Sequence, residues 1–319
     1  MSFEFNGNIL YREQINLSNV KEVYEFCEEN SDQVSLSFEV FRKATIKSVN
    51  FNPELSVIIR DFNKKIIGFF MVIFRPSFIF GKKRKVAVLK FFIISHKWRI
   101  QGLGTKIYQY LAHLIKKSKE KVFWMKFEVM ASQPDYLFPG ISPQLTPALL
   151  FLKSIGFKKY DERLYLKVDL NKKSILKPPK DLNGFKVSRA TPNEKEDLRK
   201  LNFMPWRYRI ISWPDEIALS YENSPISTFI AKKADDNRVI GFATHSVGFP
   251  GSFGPMGVMK KYRKVGLGTL LLKWCAWDLK DFNINYMIIR WTGKGVLSFY
   301  SKALGAKVSD IFWALKKRI

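Results

Sequence analysis

The sequence predicts an α/β protein of layered helices and mixed, mostly antiparallel twisted sheets, built as two similar domains. Three observations carry that prediction. The first is the stretch 254–268, GPMGVMKKYRKVGLG. Apolar residues ending at Val258 and Met259 lead into a basic turn, and the turn closes with Arg263, Lys264, Val265, Gly266, Leu267 and Gly268 ahead of the apolar run Leu270–Leu279. Read as strand, glycine-bearing loop and helix start, it sets unpaired helix N–H groups and a partial positive charge behind a backbone that a ligand can approach closely. The second observation is recurrence: residues 94–104, ISHKWRIQGLG, repeat the spacing Arg-x-x-Gly-x-Gly with Arg99, Gly102 and Gly104 half a chain earlier. The third is 171–184, NKKSILKPPKDLNG, where lysines, a proline pair and Asn-Gly break any apolar period and read as a linker. A chain of 319 residues is long for one domain and comfortable for two. The predicted division is 1–172, a linker at 173–184, and 185–319.

Composition narrows the class. A hydrophobic content of 46% with 15% aromatic residues supports packed cores rather than disorder. Two cysteines, Cys27 and Cys275, fit a reducing compartment without a disulfide framework. The start, MSFEFNGNILYREQ, lacks the basic and apolar regions of a signal peptide. The most apolar run, 66–80, is interrupted by Arg75 and Pro76 and is too short to span a bilayer. The expectation is a soluble cytoplasmic protein. A formal net charge of +26 favours anionic ligands. With no nucleic-acid motif in the sequence, nucleic acid is a minor reading beside a basic rim around phosphates. No histidine–cysteine cluster points to a metal.

The elements follow in order. Residues 8–16 read as a strand, and Ser18 is placed to cap a helix running to Asn30. A second helical stretch is expected at 32–48, then strands at 55–61, 66–74 and 86–94, with turns at 63–65 and 81–85. After the first glycine loop, Ile107, Leu111, Leu114 and Ile115 form an amphipathic stripe. A strand at 123–130, a proline-rich loop at 131–147, a short helix at 148–154 and strands ending near Leu170 complete the first half. The second half restarts with a strand at 185–190. Thr191-Pro192-Asn193-Glu194 then reads as a helix start with Thr as cap, Pro in the first turn and Glu reaching back. A helix at 212–222 follows, then strands at 227–233 and 238–247 around the turn 235–237. The glycine-loop strand and helix come next, then a strand at 285–291, a short helix at 295–303 and a last strand at 308–315.

The motif Arg-x-x-Gly-x-Gly between a strand and a helix, with this element order, resembles the acetyl-CoA loop of the GNAT superfamily of N-acetyltransferases. The resemblance covers both halves and identifies the chain as similar to a tandem GNAT protein. It implies acetyl-CoA as co-substrate, with Met256, Val258 and Met259 on the key strand meeting the pantetheine arm and the reacting carbonyl. It also implies that Arg263 and Lys264 fix the loop or pair with phosphates, while the N–H groups from Lys264 through Thr269 hold the pyrophosphate. Arg99, Gly102 and Gly104 would do the same in the first half. The chain departs from the family pattern at Lys264, where glycine often follows the arginine, and it has no acidic residue on the key strand.

The family's proton donor is a tyrosine on the last helix. In SFYSKALGA that position is Tyr300, whereas in LLFLKSIGF it is Leu152. The resemblance therefore implies a catalytic C-terminal half and a degenerate N-terminal half, left either to bind CoA without turnover or to shape the substrate cleft. A tyrosine pKa of about 10 against about 8.5 for a thiol makes full proton transfer to the leaving thiolate uphill by roughly 2 kcal/mol, so a strengthening hydrogen bond is the expected role. His245, in the strand before the key one, is a candidate base and equally a satisfied core histidine. Asp215, Glu216 and Glu222 fall in the helical region that borders the acceptor, Glu222 being taken as a substrate contact. Trp206, Trp213 and Trp291 are candidate pocket walls, Trp291 first because it ends the strand beside the key one. The expected activity is transfer of an acetyl group to a primary amine of a small molecule such as an amino sugar, polyamine or amino-acid derivative. A protein or peptide acetyltransferase and a non-catalytic CoA-binding sensor or assembly module stand as alternatives.

Overall fold

The computed structural model of the chain describes residues 2–31, 36–79, 82–118, 122–200, 213–235 and 238–318. Trp206, residues 32–35 of the second expected helix, residue 81 of one expected turn, residue 212 of the helix expected at 212–222 and residues 236–237 of another expected turn lie outside them. Among the described residues, no helix is long and apolar enough to cross a membrane. Internal contacts divide the chain into two units, one of Met1–Asp161 with Phe312–Ile319 and one of Glu162–Ile311. Residues 173–184 lie inside the second unit.

Unit 1 begins with β1 (Ser2–Phe5) and β2 (Asn8–Gln14), then α1 (Val20–Asn30) and α2 (Phe38–Ala44). The strands β3 (Ser56–Arg60), β4 (Ile66–Ile79) and β5 (Lys82–Ile94) form an antiparallel meander. α3 (Leu103–Lys117) crosses over to β6 (Val122–Val129), which pairs parallel with β5, and α4 (Thr146–Ser154) precedes β7 (Lys158–Asp169). Side chains alternate across the sheet as a strand requires. Phe70, Val72 and Leu89 pack under α3 and α4 with Leu103, Ile107, Leu111 and Leu152. Phe69, Met71 and Val88 pack under α1 and α2 with Val23, Phe26 and Phe41.

Unit 2 opens on the later part of β7, followed by β8 (Asp181–Leu182), β9 (Phe185–Arg189), α5 (Lys195–Lys200) and α6 (Trp213–Ser220). β10 (Thr228–Lys233), β11 (Val239–His245) and β12 (Ser252–Val258) are antiparallel. α7 (Leu267–Asp281) crosses to β13 (Tyr286–Thr292), and α8 (Leu297–Leu304) precedes β14 (Lys307–Arg318). The strand order is β7-β13-β12-β11-β10-β9-β8. One face packs on α7 and α8 through Leu271, Cys275, Leu279 and Leu304. The other packs on α5 and α6 through Leu198, Ile217 and Phe242.

Each unit takes a strand from the far half of the sequence. β7 pairs antiparallel with β13, placing Leu164, Leu166 and Val168 in the core of unit 2. The end of β14 pairs antiparallel with β6, and Leu315 enters the core of unit 1.

Several local features differ from the sequence reading, among them the turn expected at 81–85, where β4 runs on to Ile79 and β5 already starts at Lys82. β1 and β8 were not expected, yet Asn6-Gly7 and Asn183-Gly184 both turn with positive φ (48° and 73°, 48° and 79°), the geometry of a tight hairpin. Ser18 does not cap α1, because its Oγ donates to Asn16 Oδ1 at 2.6 Å and the helix starts at Val20. The second helix shortens to Phe38–Ala44, where the Ser37 side chain accepts from Val40 N. The helix start at Thr191 forms as read, with Glu194 Oε2 accepting from Thr191 N at 2.7 Å.

Candidate active site

The two glycine loops share one conformation. In unit 2, Arg263 Nε donates to Val258 O at 2.9 Å, and in unit 1 Arg99 Nε donates to Ile94 O at 2.9 Å. Lys264 and Ile100 follow with φ of 67° and 63°, and Gly266 and Gly102 stand immediately before their helices with φ of 91° and 87°. Each arginine thus ties the loop back to its strand, and each glycine takes the left-handed conformation that starts the helix. The first N–H groups of α7 and α3 point out of the helix end without intrahelical partners. Gly268 and Gly104 let helix and strand approach: a Cβ on Gly268 would stand 3.3 Å from Met256 Cε, and one on Gly104 3.2 Å from Ile94 Cδ1. Val265, Leu267 and Thr269 complete the turn and first helical residues, with Leu267 buried and Val265 exposed.

Beside each loop the parallel strand pair opens. β12 and β13 are in register at Ser252↔Ile288 and Phe253↔Ile289 only. β5 and β6 hold register as far as Leu89↔Val129. Past these points Met256, Gly257 and Met259 are half-buried, and Val258 is buried. Counting back from the two arginines, the first residue beyond the paired stretch is Gly254 in unit 2 and Lys90 in unit 1. Lys90 is buried, with Nζ 2.6 Å from Asp135 Oδ1 and 3.3 Å from Ser48 Oγ. Burial pushes its ammonium below the usual lysine range, with Asp135 opposing.

Tyr300 of α8 stands edge-on to Phe253 of β12, with ring centroids 6.2 Å apart, and to Phe299 at 5.0 Å. Burial raises its pKa to about 12. Against a thiol near 8.5, transfer of the phenol proton is then uphill by roughly 5 kcal/mol, which leaves hydrogen bonding as its chemical capacity. The Leu152 expected at this position is fully buried in the core of unit 1 and offers no hydroxyl, nor does Phe151 beside it.

His245 is 3% exposed and lies away from the loop, at the end of β11. Its Nε2 is 2.9 Å from Asp278 Oδ2, and its Nδ1 is 3.1 Å from Ser246 Oγ. Asp278, on α7, also pairs with Arg189 of β9. Burial works against the charged carboxyl, but the hydrogen bonds from His245 and Arg189 prevail and hold its pKa below the usual carboxylate range. Both imidazole nitrogens are therefore engaged within a buried charge cluster. Cys275, on the same helix, is buried and its thiol pKa is pushed up by burial, as for a core cysteine.

Of the residues expected as acceptor contacts, Glu222 is exposed in the turn after α6. The carboxylate brought into the fold is Glu216, 5% exposed and 3.8 Å from the Arg290 guanidinium on β13. Trp291 is half-buried, under the Arg163 guanidinium at 4.2 Å. Trp213 packs against Gly257 of β12: a Cβ there would stand 3.2 Å from Trp213 Cζ3 and 3.1 Å from Phe242 Cε1. The sequence marks Glu216 but neither its partner Arg290 nor Gly257. A glycine inside a strand signals close approach and was the available clue.

The model of the acetyltransferase (GNAT) family matches residues 17–135 and 196–306, once in each unit. No curated protein matches the chain in sequence. Solved structures that are similar in fold include a GCN5-related glucosamine N-acetyltransferase region of a fungal multidomain β-N-acetylglucosaminidase, at 17% identity and a TM-score of 0.75. The match covers 97% of this chain and 38% of that one, so the chain spans well under half the length of that protein. A GCN5-related N-acetyltransferase from Sphaerobacter thermophilus is similar at 14% identity and a TM-score of 0.68, covering 97% and 95% of the two chains. A tandem GNAT protein from the clavulanic acid biosynthesis pathway is similar at 13% identity and a TM-score of 0.67, covering 97% and 98%.

Proposed function

Because the chain belongs to the acetyltransferase (GNAT) family, we propose that it is an acetyl-CoA-dependent N-acetyltransferase whose second unit acetylates a primary amine of a small molecule. The observation that carries this reading is the pairing of an opened strand with a tyrosine in unit 2, where unit 1 has Lys90 and, at Phe151 and Leu152, no hydroxyl. An amino sugar heads the acceptors, ahead of polyamines and amino-acid derivatives, since a glucosamine N-acetyltransferase region is among the similar folds.

The chemistry asks little of the protein. The neutral amine attacks the thioester carbonyl, a C–N bond forms, and the developing oxyanion takes a backbone N–H from the stretch Met256–Val258, where β12 has left β13. The C–S bond then breaks, the departing thiolate accepts a hydrogen bond from the Tyr300 hydroxyl, and the proton that the new amide nitrogen sheds passes to water, from which the thiolate is protonated. The diphosphate of CoA lies on the N–H groups of residues 264–269, and the lysines around the loop supply its counter-charge. Arg263 serves the loop's shape through its bond to Val258 O.

Tyr300→Phe is expected to lower kcat about tenfold to a hundredfold while leaving the acetyl-CoA Kd within about twofold, since the ring stays and only the hydroxyl is lost. Thiol release and calorimetric titration on the same sample check both numbers. An unchanged kcat removes Tyr300 from the chemistry. Titration also counts sites: one per chain agrees with a working second unit alone, and two mean that the Arg99–Gly104 loop binds CoA as well. A protein that binds no acetyl-CoA ends the reading.

A further inference from the structure

We propose that unit 1 carries a separate anion site, a cleft between α3 and the end of β14 that takes the phosphate of a phosphorylated sugar or polyol. The site does not depend on the acetyl-transfer reading.

The cleft is built by one helix face and one strand end, both within unit 1. Gln109, His113 and Lys116 follow one another on α3 at spacings of four and three, which puts them on one side of the helix. With Tyr108 of the same helix, and with Lys317 and Arg318 of β14, they line a cavity of about 290 Å³. At 1.5 Å per residue, Gln109 to Lys116 lie roughly 10–20 Å along the helix from Gly102, well clear of the glycine loop.

Its charge is one-sided. Among the described residues no carboxylate lines the cavity, and none pairs with His113, Lys116 or Lys317. A lysine in the last turn of a helix offsets the dipole, which accounts for Lys116. It does not account for two more cations brought against that face by another strand. Lys317 is half-buried, with Nζ donating to Ile155 O and standing 4.8 Å from the centre of the Tyr108 ring. Burial pulls its ammonium below the usual lysine range, and no acid opposes the shift. An ammonium has three donors, and the carbonyl takes one. The rest are held in place for a ligand. Like charges gathered within a Debye length repel until a counter-ion enters.

The walls then select the ligand. Converging cations on separate side chains match a phosphate dianion, whose oxygens accept from several donors at once. The volume stands at the lower end of small-molecule sites and leaves room beyond a bare phosphate. A nucleobase would need an aromatic face for stacking. Tyr108 is 5% exposed and Lys317 covers its ring, so that face is taken. Gln109 and His113 instead offer hydrogen-bonding groups suited to hydroxyls.

The test reads the cleft directly. The chain has three histidines, so its imidazole proton NMR signals are few, and His113→Gln identifies the one from the cleft. Glucose 6-phosphate is titrated into the full chain at fixed pH. The His113 signal is expected to shift and saturate, while His96, beside the Arg99 loop, stays put. Lys116→Gln and Lys317→Met should each weaken the Kd about fivefold to tenfold. Inorganic phosphate should bind more weakly than the ester, and glucose not at all. Lys116 is exposed, so Lys116→Gln carries the test if melting curves show that Lys317→Met fails to fold. A His113 signal that does not move, that drifts without saturating just as it does in sulfate, or that titrates alike in the wild type and the folded variants overturns the site. Movement of His96 in place of His113 puts the ligand at the glycine loop and also overturns it. AMP binding more tightly than glucose 6-phosphate overturns the sugar or polyol class.

Discussion

Gly266→Glu is expected to abolish turnover, with a fall of roughly 100-fold or more, the equivalent of about 2.7 kcal/mol or more at the transition state. Two effects add. At φ 91° any L side chain is strained, costing on the order of 1–2 kcal/mol. The new Cβ also stands 3.3 Å from Leu182 Cδ2. The larger effect is charge: a carboxylate would sit at the N-terminus of α7, where the loop is proposed to hold a diphosphate, and like charges there oppose binding. Gly102→Glu has nearly the same backbone strain, at φ 87°, and meets nothing within 4 Å. It should leave most of the activity. Thiol release with titration of acetyl-CoA on both variants checks the pair. The opposite ranking would move the chemistry to unit 1.

Asp278→Ala is expected to destabilise unit 2 by about 3–5 kcal/mol, because it leaves the buried His245 and the Arg189 guanidinium without their shared carboxylate. Asp278 is 2% exposed, so water does not replace the lost partner. The cluster joins β9, β11 and α7, and unfolding by urea at neutral pH reads its loss. The pH dependence has a definite sign. The folded pKa of Asp278 lies below its ordinary value, so its contribution is fully present above the unfolded carboxylate pKa of about 4 and is lost as pH falls through the folded value. Acid unfolding of the wild-type protein should therefore have a component that Asp278→Ala lacks. Equal stability of the two proteins at pH 7 would refute the role assigned to this cluster.

What was legible in the sequence was local. The loop conformation depends on a few consecutive residues, and glycine at a positive φ is a demand that no distant contact can remove. The loss of the tyrosine was readable for the same reason: five residues before the glycine turn stands Tyr300 in one half and Phe151, next to Leu152, in the other, and neither of the latter carries a hydroxyl. The hairpins at Asn6-Gly7 and Asn183-Gly184 were written just as plainly, and β1 and β8 follow from them. The exchange of strands was not legible. The alternation of Leu164, Leu166 and Val168 suits any half-buried strand, and nothing local says which sheet it joins. Glu216 and Arg290 illustrate the same limit. Each reads as an ordinary charge on a helix or strand, and only the tertiary fold buries them side by side. His245 reads in sequence as base or core residue alike, because Asp278, which engages its Nε2, lies on a helix whose sequence shows chiefly an apolar run.

The exchanged strands also set an order of assembly during synthesis. Unit 2 needs residues 162–311, so its strands are all available once Ile311 has been made. Unit 1 starts first but lacks the strand that covers β6 until Phe312–Ile319 follow. The earlier-translated body is thus the later to close, and until then it presents β6 as an open strand edge of the kind that invites mispairing. A nascent chain of this design has reason to keep its first half shielded while its second half is being made.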